Sequence, residues 1–591
     1  MNESAENNEE LIIKDFDLIY VISFDIGARI NIMDLWLEYA KASQDFNNAL
    51  LNVKAFWYPP LGIPIPLSNI KEVKPSKLSP YLKRLLRDKA FLNYINKAVE
   101  ETENELIKEF IERLKRLKRE VPLFMELYGV DSTVLNPEYL ELGRYIRLKL
   151  ADFEAEVNDS RFKDLGARVG RFRVEPYLLI HGTGVGVVTL WINMKGEFTV
   201  DDVIKLSKYL INNINLHVTD PLGNQQESTL LDFIEAVIIT PLQIMTLFKG
   251  HNEIVKSLIR ASKVMIFEKD ETLRESKVDE ILRESLKSKK LKKESKKVLR
   301  EINNDPRKFI EENLRTSYAL SHIIIGIREP ECGNGCLTAE DIARRYTREI
   351  AGILTGKEEW RDITDRAAKE DLGKNLSSSK SYVIYLTRFA TLFLGSPKLK
   401  EKINNELLKL NPELSKDIGF RIYELTTVVP VEFLALSWQI LNSYTSLCRK
   451  RREEVLRRIK GGGKRGEVVK PSELVSLRGE LLHALEEYNN VLLFKSDPFM
   501  KVIEYGKKRW NLSEMVDELK SELNELSVLA ETYYEEAILR RQLILTIIFG
   551  VFGLFAELDV LTKFVGKIWA IVLTAITAVI LYLIYWWYIK R

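Results

Sequence analysis

The residues best placed to do chemistry are two acids at the end of an apolar run. Leu543 to Ala556 is almost wholly apolar, and Glu557-Leu-Asp559 follows it. Repeated around an oligomer axis, Glu557 and Asp559 would form a pore mouth whose negative field concentrates cations. In a lone chain they would be ordinary interfacial residues. Upstream, Ile544, Ile547, Val551 and Leu554 recur at steps of three and four, so they share one helical face. They would be pore-lining, an apolar constriction below the acids.

Other constellations offer less. Cys332-Gly-Asn-Gly-Cys336 brings two thiols close in sequence, but structural zinc wants four ligands. Cys448 and scattered histidines, His322 the nearest, are all that remain to complete a site, so a local thiol pair able to close as a disulfide is expected. His181-Gly-Thr-Gly-Val-Gly186 lacks dinucleotide spacing and reads as a hairpin turn. Gly461-Gly-Gly-Lys-Arg-Gly466 has Arg465 where a phosphate loop needs Ser or Thr, and reads as a linker. No Ser-His-Asp set and no zinc-peptidase helix stands out. The basic block 449–465 has no interleaved aromatics and the net charge is +3, so nucleic acid is not an expected partner.

The acids must be positioned by membrane elements. Ile568 to Ile589 is uncharged and free of Pro and Gly, long enough to cross a bilayer core as a helix. Trp569 lies at one end and Trp586 and Trp587 at the other, about 26 Å apart at helical rise, as two interface anchors would be. Arg540, Arg541, Lys590 and Arg591 flank the pair of runs, against Lys563 and Lys567 in the connection, which favours a hairpin with both ends cytosolic. The alternative is a single span, with the first run lying at the interface or packed in protein. The start of the chain is acidic and polar, unlike a secretory signal. The expected location is therefore the cell membrane, with the N-terminal bulk cytoplasmic and the lipid bilayer as a partner. Three cysteines in 591 residues fit a reducing compartment.

Leading into the membrane is a seam. Leu512, Val516, Leu519, Leu523, Leu526, Ala530 and Tyr533 alternate steps of four and three, the period of helices wound on one another. It predicts a homo-oligomer, or else a long helix packed on its neighbour at 472–495. Before it the expected organisation is α+β. Residues 1–260 form a mixed α/β domain, and 261–425 add charged helices and further α/β. Residues 426–541 form a helical stalk, and 542–591 the transmembrane hairpin and basic tail. Strands are expected within 17–32, 171–192, 319–327 and 382–394, and helices at 83–120, from Thr199, and through the lysine-rich run 271–316.

A cytosolic α/β portion, long helices, then two spans and a Lys590-Arg591 tail: this layout resembles CorA-type magnesium transporters. The stretch Leu545-Thr-Ile-Ile-Phe-Gly-Val-Phe-Gly-Leu-Phe-Ala556 looks like the start of their first span. The resemblance implies a homo-oligomeric cation conduit, with magnesium or another divalent cation as the transported ion rather than a bound cofactor. The family's Gly-Met-Asn signature is absent, Glu557-Leu-Asp-Val-Leu-Thr-Lys563 standing in its place, so magnesium selectivity does not carry over. The other function expected is a membrane-anchored regulatory or defence module. No catalytic set marks an enzyme.

Overall fold

The computed structural model describes residues 10–27, 55–58, 63–66, 145–220, 223–248, 252–287, 317–332, 336–407, 416–459, 479, 482, 485, 497–565 and 567–590. The chain divides into two compact units. One comprises Met1–Ser443 and Leu485–Val516, the other Tyr444–Ala484 and Asp517–Arg591.

The first unit is built on one mixed sheet of twelve strands. These are β1 (Ile12–Asp25), β2 (Ala55–Tyr58), β3 (Ile63–Pro66), β4 (Tyr145–Lys149), β5 (Phe153–Val157), β6 (Arg171–His181), β7 (Val185–Phe198), β8 (Leu216–Thr219), β9 (Gln225–Ser228), β10 (Ser317–Glu331), β11 (Tyr382–Leu386) and β12 (Ala390–Gly395). The main path runs β11-β12-β10-β1-β7-β6-β4-β2-β3, with β5, β8 and β9 branching from β6. The β10–β12 pair is parallel, and the other ladders are antiparallel.

β1 is the centre of this sheet, with β10 on one side and β7 on the other. From Phe16 to Phe24 it is buried on both faces, as a strand covered on both sides must be. Alternation gives Phe16, Leu18, Tyr20, Ile22 and Phe24 to one face, where they join the main apolar core. On that face lie helices α1 (Val200–Tyr209), α2 (Leu230–Leu247), α3 (Asn252–Phe267), α4 (Glu271–Lys287), α5 (Ala339–Arg345) and α6 (Thr347–Thr355), whose buried side chains belong to the same core. Local signals place several of these ends. Thr199 caps α1 in a reciprocal box with Asp202, and Thr338 caps α5 the same way with Asp341. Gly184, at φ 91°, turns β6 into β7 as the glycine-rich segment implies.

The opposite face of the sheet carries Asp17 and Ser23 of β1, Thr189 and Trp191 of β7, and His322 and Arg328 of β10, all buried. It is answered by α7 (Lys416–Ile459), which keeps Pro430 inside it, and by α8 (Asp497–Arg509). α9 (Leu512–Val565) and α10 (Lys567–Lys590) complete the chain.

Several expectations change. Of the two readings of 17–32, a strand pair or a strand and turn, the structure gives the second as far as it is described: one long strand from Ile12 to Asp25, then a bend at Gly27. The stretch 382–394 is two strands joined as a hairpin. The boundary expected at 260/261 cuts across one sheet, because β10 pairs directly with β1. The stalk expected over 426–541 is divided between the two units, and its first helix begins earlier, at Lys416. The expected helix at 83–120, the lysines beyond Lys287 and the Gly461–Gly466 linker lie outside the described residues.

Among the described residues, two helical stretches, Leu230–Leu247 and Tyr423–Lys450, are long and apolar enough to cross a membrane. Respectively 72% and 83% of those windows is buried inside the protein. The C-terminal helices differ: Ile568, Trp569, Ile571, Ile576 and Val579 of α10 are 78%, 65%, 60%, 52% and 56% exposed.

Candidate functional site

The densest polar chemistry lies between the sheet and α7. Strand alternation aims Asp17, Gly326 and Arg328 at α7, while Phe16, Leu18, Ile325 and Ile327 face the core. Arg328 is buried to 1% exposure and is surrounded by acids. Its Nε donates to Glu424 Oε1 at 3.0 Å, and its Nη2 donates to Glu424 Oε2 at 2.8 Å and to Asp17 Oδ2. Trp191 Nε1 also donates to Asp17 Oδ2, at 2.6 Å, and Asn193 Nδ2 donates to Asp17 Oδ1 at 2.7 Å and to Asp15 Oδ1 at 2.9 Å. Beside them Arg421 of α7 grips Glu175 of β6 with both terminal nitrogens, at 2.9 and 2.7 Å. Its guanidinium lies 5.1 Å from the Trp191 ring centre.

Burial sets the electrostatics. It pushes the Asp17 carboxyl well above the usual carboxylate range, the nearby Glu424 charge adds to this, and Arg328 opposes it. Asp15 is raised as well, by burial first, with Arg328 pulling the other way. Burial works against the Arg328 charge too, but Glu424 and Asp17 outweigh it and hold the guanidinium ionised. A buried ion pair of this kind gives up solvation for both partners, so it specifies an arrangement more than it adds stability.

Two further polar contacts dock α7 along the same face. Thr189 Oγ1 donates to Glu432 Oε1 at 2.7 Å, and Ser23 Oγ donates to Gln439 Oε1 at 3.2 Å. At the β12 side, His322 Nε2 lies 2.7 Å from Thr391 Oγ1, and its Nδ1 lies 3.3 Å from the Arg388 carbonyl. A carbonyl accepts, so Nδ1 carries the proton and Nε2 accepts from Thr391. The imidazole also sits 4.9 Å from the Trp510 ring, and burial pushes its pKa down to about 3.

The residues singled out from sequence fall elsewhere. Glu557 and Asp559 are helical residues of α9, which continues to Val565. Ile544, Ile547, Val551 and Leu554 precede them in the same helix, and the side chains of all six lie outside the described set. Trp569 is exposed, and Trp586 and Trp587 lie in the last turns of α10. The first half of the seam lies among described side chains. Leu512 and Val516 are buried in the first unit, Leu519 and Leu526 in the second, and Leu523 is half-buried, all within a single chain. In the second unit the neighbour is the end of α7. Arg449 pairs with Glu518 and Glu522, and Arg452 with Glu522 at 2.9 Å and with Glu525. Within one chain, Leu512, Val516, Leu519 and Leu526 are therefore already covered, as the alternative of a helix packed on a neighbour in the same chain expects. Ala530 and Tyr533 lie beyond the described side chains.

Cys332 and Cys336 are joined as a disulfide, Cα 6.1 Å apart, and pack half-buried against the main core. His322 is engaged with Thr391 and Arg388. Among the described residues no group of three or more His, Cys, Asp or Glu side chains could hold a metal.

Sequence reasoning passed over Asp17, Arg328, Glu424 and Glu432. Part of the signal was present: Glu432 is a lone charge inside Val428-Val-Pro-Val-Glu-Phe-Leu434, and Arg328 closes the apolar run Ile323-Ile-Ile-Gly-Ile327. The chain matches no protein-family profile, no curated protein and no solved structure.

Proposed function

We propose that this chain is an integral membrane protein in which the α/β unit is the working part and the C-terminal helices anchor it and carry its state to the bilayer. The observation that carries this reading is the uncovered surface of α10. Ile568, Trp569, Ile571, Val572, Leu573, Ile576, Val579 and Ile580 are all at least 41% exposed. At 100° per residue they cover more than half the helix circumference, too wide for one soluble neighbour and suited to lipid. Trp569 at one end and Trp586 and Trp587 at the other suit the two interfaces. The large unit then lies in the cytoplasm. Its most distinctive chemistry, the Asp17–Arg328–Glu424 cluster, is sealed under α7, which fits a regulatory role better than an open active site.

The test is extraction. The full-length chain should stay with membranes through high salt and alkaline carbonate and be released by detergent. Release by carbonate alone would reduce α10 to a peripheral or protein-covered helix.

A second reading, a CorA-like cation conduit, is favoured by the continuity of α9. Its 54 residues run without interruption from Leu512 to Val565 and bear Glu557 and Asp559 near the end. At about 1.5 Å per residue this is roughly 80 Å of helix, long enough to join a soluble unit to the far side of a bilayer. Reconstituted vesicles separate the two readings. A conduit passes divalent cations above empty vesicles and loses that flux with Glu557→Gln and Asp559→Asn, whereas an anchor passes none.

A further inference from the structure

We propose that Asp17 and Glu424 share one proton, and that this proton latches the first segment of α7 to the sheet, so that its loss as pH rises loosens that segment. Three features of the geometry support the latch. The side chains of Asp17 and Arg328 are 0% exposed and that of Glu424 is 1% exposed, so no solvent screens their charges. One guanidinium serves both carboxyls through the same Nη2. The two acids also crowd the same side chain-free space at Gly326, where a Cβ would lie 2.6 Å from Glu424 Oε1 and 3.6 Å from the Asp17 Cβ, so their charges repel unless one of them holds a proton.

The surroundings leave the same surplus of acid. Facing Asp17 are Arg328 from β10, Trp191 and Asn193 from β7, Glu424 and Arg421 from α7, and Asp15 from its own strand. Glu175 and Tyr177 stand on β6 around Arg421, and Lys195 faces Asp15. With Arg173, which faces Glu175 and Arg421, and its partner Asp152, the group holds five acids (Asp15, Asp17, Asp152, Glu175 and Glu424) against four cations (Arg173, Arg328, Arg421 and Lys195). One proton closes the balance. No oxidant, metal or co-reactant is needed: the proton passes between a carboxyl oxygen and solvent hydroxide when the segment opens.

What the latch releases is defined by Pro430. Lacking an N–H, Pro430 makes no helical bond to the carbonyl of Thr426, so α7 can bend there at little cost. Glu424 lies before this point and the Glu432–Thr189 and Gln439–Ser23 contacts lie after it. Residues 416–429, which carry the Arg421–Glu175 pair as well as Glu424, can therefore loosen from the sheet while the rest of α7 stays docked.

Hydrogen–deuterium exchange on the full chain in detergent tests this. After correction for intrinsic rates, protection of peptides within 416–429 should fall roughly ten-fold or more, relative to 432–443, as pH rises from about 6 to about 9. Glu424→Gln and Asp17→Asn each replace one acid by a neutral hydrogen-bonding group and should abolish the fall. A flat wild-type profile, or an unchanged fall in both variants, overturns the latch. Should the variants not fold, an infrared titration of the wild type decides: a protonated-carboxyl band present at neutral pH and lost on alkalinisation supports the shared proton, and its absence at neutral pH overturns it.

Discussion

Gly326 stands opposite Asp17 in the β1–β10 ladder, and the space its missing side chain leaves is taken by Glu424. A Cβ at position 326 would lie 2.6 Å from Glu424 Oε1 and 3.6 Å from the Asp17 Cβ. The glycine therefore serves no turn here. It makes room for a helix carboxylate to reach the arginine two residues along the same strand.

Gly326→Ala is thus expected to displace Glu424 and strain the cluster, at a cost of about 1–3 kcal/mol by the usual scale of overpacking. Urea denaturation should show a lower midpoint with an unchanged slope. Glu424→Ala removes the obstructed group, so the cost of Gly326→Ala should shrink in that background. Equal costs in the two backgrounds would mean that Gly326 and Glu424 do not interact.

His322 gives a pH dependence of known sign. Its folded pKa of about 3 lies below the ordinary histidine value, so the unfolded chain binds the proton more readily. The stability it contributes is fully present above about pH 6.5 and is lost as pH falls toward 3. One proton taken up on unfolding corresponds to a slope approaching about 1.4 kcal/mol per pH unit across that window. His322→Gln should show that much less acid sensitivity in denaturation midpoints between pH 7 and pH 4. An identical slope in the variant would show that other groups dominate acid unfolding.

Local pattern reached some of this architecture and missed the rest for physical reasons. The β6–β7 hairpin, the Thr199 cap and the start of α9 at Leu512 are written in contiguous residues. So is the Ile568–Ile589 run, which lies within α10. The stalk expected from 426 starts ten residues late, and Thr426-Thr-Val-Val-Pro430, β-branched and ending in proline, is a poor helix interior on local preference. Burial against the sheet overrides both, and the helix begins at Lys416. The cluster could not be assembled from sequence, since Asp17 and Arg328 are 311 positions apart and Arg328 and Glu424 are 96 apart. Each charge was visible alone, but their meeting depends on the strand order β10-β1-β7, which no periodicity encodes. The 3.5-residue seam was real as a pattern and ambiguous as to partner, because a neighbouring helix in the same chain satisfies it as well as a second copy does.

That ambiguity is now testable at Leu519. It is fully buried within one chain, beside the ion pairs that join Glu518 and Glu522 to Arg449. Leu519→Ala should cost about 2–5 kcal/mol of stability and leave the oligomeric state unchanged in analytical ultracentrifugation. A shift to monomer with the melting temperature preserved would return the residue to an intermolecular seam.

Topology is the most direct test of the membrane reading. α9 ends at Val565 and α10 begins at Lys567, so the chain reverses or continues within a residue or two of Gly566. Arg540 and Arg541 before the first apolar run, with Lys590 and Arg591 after the second, outnumber Lys563 and Lys567 between them. The excess of positive charge should hold both outer flanks in the cytosol and send the connection across. In a chain whose own cysteines are replaced, a cysteine at Thr562 should react with an impermeant thiol reagent applied to intact cells. One appended after Arg591 should react after permeabilisation alone. Labelling of the C-terminal cysteine from outside, with Thr562 protected, would mean that α10 crosses by itself and that the apolar part of α9 does not. Protection of both positions in intact cells would place the connection short of the far face and remove Glu557 and Asp559 from any outer mouth.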